Sequence, residues 1–469
     1  MKTHLIFKSK KTGFVLLGLL LLLGCQNDDS DLQDVKASKD PNVFIDTFSG
    51  GLNFAAFSGT DIFAFQVDND VTYNNSSASM RFDVPNANDP AGAYAGGAFF
   101  TGVGRDLTSY NALTFWAKSS VAATVGVIGF GIDLGANKYP ASLNNLKLST
   151  VWKKYIVPIP DASKLKIEKG LFYISAGADS NGNGYTFWVD EVKFENLGTL
   201  AYAQPAINNG LIETSTSYIG VSFNVPGLTT TYNLLNGTNQ VVTASPNYFT
   251  FTSSNVAIAT VDNQGLVNTV GTGTAVISAS VGGVLAKGNI TINSLGAFIL
   301  TPTPPVRQEA NVISIFSNAY TNYPVKFFNG YWQPYQTTKS ADFKVFGDGV
   351  LNYTNFNFVG IQFNVPTLNV TSLTHFHMDI FIPGTLPSGS NFQIELVDFG
   401  ANAVEGGGDD TKHRLVFTSP KLVANSWVSF DIPFTSFTGL INKAHLAQII
   451  LESNKIPNFY ADNIYFYKN

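Results

Sequence analysis

Cys25 is the only cysteine in the 469 residues, so no intrachain disulfide can staple the fold and any extra staple must be a metal ion. Charge is scarce too. Asp, Glu, Lys and Arg make up 13% of the chain, against roughly a quarter in ordinary globular proteins. No Lys/Arg-rich stretch or nucleic-acid-binding motif occurs, which excludes nucleic acid as a partner. The main apolar run, from about Phe14 to Gly24, falls short of the roughly 20 residues a bilayer span needs. Catalytic signatures are missing as well: there is no G-x-S-x-G, H-E-x-x-H or P-loop. Glu395 and Asp398 are three apart, so a strand sends them to opposite faces, the wrong arrangement for two carboxylates flanking one glycosidic bond. A non-catalytic protein is expected.

What the chain has in quantity is Gly, Phe, Tyr, Thr and Asn, with 42 Gly and 38 Phe. Long helix-forming tracts do not occur. Short strand patterns recur every 8–12 residues between Gly, Asn, Pro and Asp, as in β-sandwiches and barrels. The expected class is all-β. Small-residue and Pro-rich joints at 199–210 and 300–308 divide the chain, and the second is stiff where it forms polyproline II.

The N-terminus reads as an export signal. Lys2, Lys8, Lys10 and Lys11 precede the apolar core and a small residue closes it, the anatomy of a secretory signal peptide. Leu22-Leu23-Gly24-Cys25 resembles the lipobox of bacterial lipoproteins, which implies that residues 1–24 are removed and Cys25 becomes a lipid anchor. Two or more acyl chains give stable membrane attachment. The acidic tract Gln26–Asp31, which opens an acidic tether (25–40), resembles the signal that sends Bacteroidota lipoproteins to the cell surface, so an outer-membrane, surface-exposed location is expected. Losing the four signal lysines leaves 24 basic residues against 33 acidic ones, a net charge of −9.

Between the joints lie Ser253-Ser254-Asn255, Ala259-Thr260-Val261-Asp262, Gln264-Gly265 and Gly271-Thr272-Gly273-Thr274-Ala275. This segment, 199–297, resembles the group 2 bacterial immunoglobulin-like domain. Asp262–Gly265 predicts a type I turn with Gly265 left-handed, closing a hairpin. Ala275, Ile277 and Ala279 alternate as one buried face should.

The flanking segments resemble each other. "WKKYIVPIP" (152–160) parallels "WVSFDIPF" (427–434), and "YTFWVDEVKF" (185–194) parallels "NFYADNIYFY" (458–467). Both segments, 41–198 and 298–469, resemble jelly-roll carbohydrate-binding modules. The expected architecture is two β-sandwich jelly rolls separated by an immunoglobulin-like β-sandwich. The C-terminal segment, with "NVISIFSNAYTN" (311–322) and "LTHFHMDIFIP" (373–383), is also similar to modules appended to family 16 β-glucanases and to surface glycan-binding lipoproteins. That resemblance implies polysaccharide capture, with a laminarin-type β-1,3-glucan as ligand and an outer-membrane importer as neighbour. The rival expectation is an adhesion protein whose jelly rolls bind a protein partner.

Sugar binding needs flat aromatic faces with carboxylates or amides beside them. Trp332, flanked by Tyr331 and Tyr335 in a Gly- and Pro-containing loop, is the leading candidate, because loop aromatics are hard to explain by packing. Asp409 and Asp410 in "VEGGGDDTKH" are hydroxyl-binding or calcium candidates. Trp116 either floors a groove or is covered by a loop; the loop aromatics Tyr94 and Tyr139 belong to the same segment. Trp152, Trp188 and Trp427 are expected in cores. His375, His377 and Asp379 share one strand face and are expected on the polar outside. Asp190 and Asp462, in phase with the apolar residues of their strands, are expected to point inward. The jelly-roll resemblance implies a structural Ca²⁺ held by Asp190 and Asp46, in "FIDTF". The C-terminal segment has "ISIFS" there and no matching acid, so Asp462 is expected to be held by hydrogen bonds.

Overall fold

A computed structural model describes residues 37–469 apart from Tyr331, Gln333 and Phe346, and apart from the side chains of Ala341 and Asp342. The fold is all-β. Among the described residues no helix is long and apolar enough to cross a membrane.

The N-terminal sandwich follows from strict alternation. In Ala112–Ser119, Leu113, Phe115 and Ala117 are buried in the core while Trp116 and Lys118 stay half-buried on the other face. This strand lies between Lys153–Pro158 and Tyr185–Glu195 in a seven-stranded sheet that also holds Asn42–Ile45 and Ser79–Val84. The facing sheet carries Tyr94–Arg105, Glu168–Gly177, Ala123–Phe130 and Ala141–Leu148. Phenylalanines fill the gap between them, with Phe82 stacked on Phe187 at 4.9 Å and Phe130 edge-on to Phe194 at 5.6 Å. Such ring pairs add about 0.5–1.5 kcal/mol beyond their buried area.

The second sheet does not stop at the first joint. Gln204–Ala206, Thr229–Asn233 and Asn239–Ala244 extend it to eight strands, with Thr243 opposite Ser142 and Ala244 opposite Ala141. The remaining strands of the central segment form a small sandwich. Ile212–Ile219 runs parallel to Asn289–Ala297 in one sheet, and Ser222–Asn224, Leu266–Thr269 and Ala259–Val261 make the other. The predicted hairpin is present. Gly265 has φ 75°, its N–H donates to the Asp262 carbonyl at 3.1 Å, and Ala259–Val261 pairs with Leu266–Thr269. Ala275, Ile277 and Ala279 are buried.

The C-terminal sandwich packs a six-stranded sheet, containing His375–Phe381, Trp427–Pro433 and Phe459–Tyr467, against a five-stranded one. The latter is ordered Phe327–Gly330, Phe358–Gln362, Leu446–Glu452, Phe392–Asp398, Thr411–Phe417. The Pro-rich joint is strapped to the six-stranded sheet. Trp427 Nε1 donates to the Ile299 carbonyl at 2.7 Å, Asn463 Nδ2 to that of Pro302 at 2.8 Å, and the Arg307 guanidinium lies 3.7 Å from the Tyr467 ring centre. Phe298 sits amid Tyr218, Phe343, Phe381, Trp427 and Tyr460, tying the central sandwich to the C-terminal one.

Both closing strands correct the expectation that Asp190 and Asp462 point inward. In Tyr185–Glu195, Phe187 and Val189 face the core, yet so do Val192 and Phe194. One extra residue intervenes: Glu191 has φ 46°, and the pairing register shifts between Asp190 and Lys193. In Phe459–Tyr467 the same occurs at Asn463, φ 52°, so Phe459 and Ala461 face inward and then Ile464 and Phe466. A bulge reverses the inside–outside phase, and each aspartate therefore lies on its sheet's outer side under a covering segment. Trp188 and Trp152 also lie outside the cores, half-buried, whereas Trp427, half-buried too, packs against the apolar cluster around Phe298 and not in the centre of the C-terminal sandwich. In Trp427–Pro433 the inward positions belong to Val428, Phe430 and Ile432.

Candidate functional site

The outer face of the five-stranded sheet carries a groove of about 490 Å³. Along Phe392–Asp398, Phe392, Ile394 and Leu396 fill the core, leaving Glu395 and Val397 to face out. Val397, Phe399 and Ile450 pack together there and form an apolar floor with Phe358.

Trp332 is the wall. Its ring occupies the space over Gly360, where an added Cβ would fall 1.9 Å from Cη2. Only glycine gives the indole this seat. The ring lies nearly parallel to Phe358, 6.0 Å away. Its backbone is clamped by buried Gln336: Trp332 N donates to Gln336 Oε1 at 3.0 Å, and Gln336 N donates to the Trp332 carbonyl at 3.2 Å. The aromatic is thus held in place before any ligand arrives, which lowers the ordering cost of binding.

Charged groups rim the groove. Arg414 Nε donates to Glu395 Oε2 at 3.1 Å, and its Nη1 meets Gln393 Oε1 at 3.1 Å and Glu452 Oε2 at 2.8 Å. Lys412 Nζ is 3.5 Å from Glu395 Oε1. Asp410 Oδ2 accepts the Gly406 N–H at 2.9 Å, while its Oδ1 is buried without a partner. An unpartnered buried acceptor is costly, and Asp410 lies in the groove lining. An apolar floor, a flat indole wall and a carboxylate rim suit a pyranose, which has C–H-rich faces and equatorial hydroxyls.

Trp332 and Asp410 thus come together, as two candidates read from one sequence. The others part company. Tyr331 lies outside the described residues. Tyr335 is 77% exposed and does not line the groove. Asp409 turns into its own loop, with Oδ1 accepting from Asn402 Nδ2 at 2.7 Å. Trp116 is the covered case, stacked under Tyr73 with ring centres 3.9 Å apart. Tyr139 is no free platform either: it packs on Tyr248 at 5.4 Å, and its carbonyl accepts the Tyr248 hydroxyl at 2.9 Å, where the central segment meets the N-terminal sandwich. The floor residues, Arg414 and Glu452 were missed by reading motifs. The outward phase of the strand holding Glu395 and Val397 was the one available signal.

Glu395 and Asp398 do part to opposite sides. Asp398 accepts the Gly400 and His445 N–H groups at 2.9 and 2.8 Å, so no carboxylate pair forms. His375 and His377 lie on the outer side, stacked on Tyr467 and Tyr465. Asp379 is buried among hydrogen bonds from Ser429 and Asn463.

Asp46 and Asp190 do converge. Ser76 Oγ lies 2.8 Å from Asp46 Oδ1, 2.8 Å from the Ala78 carbonyl and 3.3 Å from Asp190 Oδ1. One hydroxyl proton cannot serve three acceptors. Backbone N–H groups of Ser77, Tyr73 and Glu191 also reach the two carboxylates. Burial pushes the Asp190 carboxyl up from its ordinary value, against the pull of the Tyr73 N–H. Two carboxylates, a hydroxyl and a carbonyl fit the oxygen-only preference of Ca²⁺.

Among known families, residues 45–196 match the one described as Carbohydrate binding domain 30. Residues 244–283 match the Intimin, immunoglobulin-like domain. The N-terminal sandwich is therefore similar to carbohydrate-binding modules, and the central one contains an immunoglobulin-like stretch. No curated protein sequence matches the chain. Similar solved structures include a family 30 carbohydrate-binding module of a cellulosomal cellulase of Clostridium thermocellum, at 19% identity, 35% of this chain, 96% of that one and TM-score 0.24. A family 11 module from Clostridium thermocellum in complex with a β-1,3-1,4-mixed-linked tetrasaccharide shares 16% identity over 28% of this chain and 85% of that one, TM-score 0.21. A tandem family 22 module pair from Paenibacillus barcinonensis shares 8% over 93% and 99%, TM-score 0.22.

Proposed function

We propose that this protein is a non-catalytic polysaccharide-binding lipoprotein of the cell surface, anchored to the outer membrane through acylated Cys25. It captures glycan for an outer-membrane importer and its enzymes. The observation that carries the reading is the Trp332 groove: an indole seated on Gly360, an apolar floor, and a buried carboxylate oxygen of Asp410 with no partner. The family match of residues 45–196 supports a second glycan contact on the N-terminal sandwich. The ligand proposed is a β-glucan of the laminarin type, β-1,3-linked, on the sequence resemblance of the C-terminal segment to modules of β-glucanases. Asp46 and Asp190 hold a structural Ca²⁺ that pins the covering loop over Trp116 and stays out of ligand binding. With two contacts on one chain, polymer binds more tightly than short oligosaccharide, because the second contact forms at an effective concentration up to about millimolar.

The test is calorimetry and affinity electrophoresis of the mature chain against soluble β-1,3-, mixed-linkage and β-1,4-glucans. Binding to the β-1,3-glucan, stronger for polymer than for oligosaccharide, is expected. Failure to bind any glycan would overturn the proposal in favour of an adhesion protein.

A further inference from the structure

The positive charge in the Trp332 groove is already matched. Among the described lining residues the cations are Lys412 and Arg414. Arg414 gives Nε to Glu395, and its Nη1 has two hydrogens, which Gln393 and Glu452 take. Lys412 Nζ turns to the other oxygen of Glu395. Glu405 and Asp410 line the same groove, and among the described residues neither has a cation as partner. Four carboxylates therefore stand against two cations. The floor adds a neutral polar group. Gln448 is 3% exposed and sits beside Val397, its neighbour across the sheet. Its side-chain hydrogen bond, from Nε2 to Glu405 Oε1, is stretched to 3.5 Å, past the usual range of about 2.7–3.2 Å. A buried amide thus faces the groove with its hydrogen-bonding capacity largely unspent.

We infer, given that the groove binds glycan as proposed, that it selects uncharged glycan and rejects acidic glycan, with Gln448 meeting sugar hydroxyls from the floor. A sugar carboxylate or sulfate finds its two possible cation partners already held by Glu395 and Glu452, and it must approach Asp410 and Glu405. Like charges brought together at a binding surface cost affinity. A hydroxyl escapes that cost, because it donates to a carboxylate or to the amide oxygen and accepts from the amide nitrogen. A glutamine offers both functions on one side chain. Glu452 decides the charge class at Arg414, since its Oε2 takes the Nη1 hydrogen that would otherwise meet a ligand anion.

The experiment is calorimetry of the mature chain with β-1,3-glucan lightly carboxymethylated, with the same glucan hydroxyethylated to an equal degree as the control for bulk, and with the unmodified polymer. The carboxymethylated sample should bind about tenfold more weakly than the hydroxyethylated one. That gap should shrink at high NaCl, where charges are screened. Glu405→Gln with Glu452→Gln should narrow it by about fivefold; both positions reach solvent and Gln keeps their shape, so the fold survives. Gln448→Leu should weaken the unmodified glucan by about tenfold and leave the gap in place. Equal binding of the two modified glucans, or carboxymethyl binding that is tighter and falls with NaCl, would overturn the inference while the glycan proposal stands. An unchanged gap in the double variant would equally overturn it, since the selection would then arise outside the groove. If the unmodified glucan is not bound, the glycan proposal itself fails and the inference with it.

Discussion

Trp332→Ala tests the groove most directly. The indole rests on Gly360 and Phe358 and turns the remainder of its surface to the groove. A Trp offers up to about 250 Å² for burial. A sugar ring covering somewhat under half of this, roughly 100 Å² of apolar surface at about 25 cal/mol per Å², contributes about 2.5 kcal/mol. Alanine substitution at a hot spot costs 2 kcal/mol or more by a separate route. The expected loss is therefore about 30- to 60-fold in affinity, read by calorimetry with the glucan that binds wild type. The fold should survive, because Trp332 is not part of the C-terminal core. Gly360→Ala is the companion. It removes no aromatic group, yet its Cβ would meet Cη2 at 1.9 Å and Cζ3 at 2.4 Å, so the ring must lift away. Weaker binding by about tenfold, without loss of secondary structure, is expected. Tyr335→Ala, outside the groove, should change affinity less than about twofold, under 0.5 kcal/mol. Wild-type affinity in folded Trp332→Ala would refute the reasoning. So would a Tyr335→Ala loss as large as that of Trp332→Ala, since it would shift the site to the loop edge.

Burial, with a contribution from Asp133, pushes the Glu168 carboxyl up to about 7, from an ordinary 4.5. The folded state therefore holds this proton more tightly than the unfolded chain. The associated stability is fully present below pH 4.5 and is lost as pH rises through 7, a loss of about 3 kcal/mol. Urea melts should show Glu168→Gln stabilising relative to wild type at pH 8 and not at pH 4; a pH-independent difference would contradict this. For the N-terminal ion, EDTA should lower the melting temperature by roughly 5–10 °C if calcium is supplied at about a hundred times its Kd. Asp46→Asn with Asp190→Asn should remove that shift, and an identical EDTA effect in the variant would count against the site. Cys25→Ala should release the protein from the membrane fraction or stall its processing, and normal fractionation of the variant would defeat the lipoprotein reading.

Much of the fold was legible because β alternation is a local property. Leu113, Phe115 and Ala117 write one buried face directly into the chain, and the turn at Asp262–Gly265 needs only its own four residues. The all-β class, the duplicated closing strands and the hairpin follow from such short-range patterns. Trp332 was legible for a related reason: a tryptophan between Gly, Pro and Tyr has no strand phase to bury it. Only the tertiary structure decided the rest. A bulge of one residue at Glu191 and another at Asn463 reversed the phase that placed Asp190 and Asp462 inside, and a bulge is set by the pairing of distant strands. Tyr73 covers Trp116 from a loop more than forty residues away. Gly360 becomes the seat of Trp332 only when Phe327–Gly330 pairs with Phe358–Gln362. The groove floor comes from residues 358, 397, 399 and 450, which approach one another solely through sheet order. Sequence alone fixes which side of a strand is apolar; which strands lie side by side depends on long-range contacts whose partners no local period records.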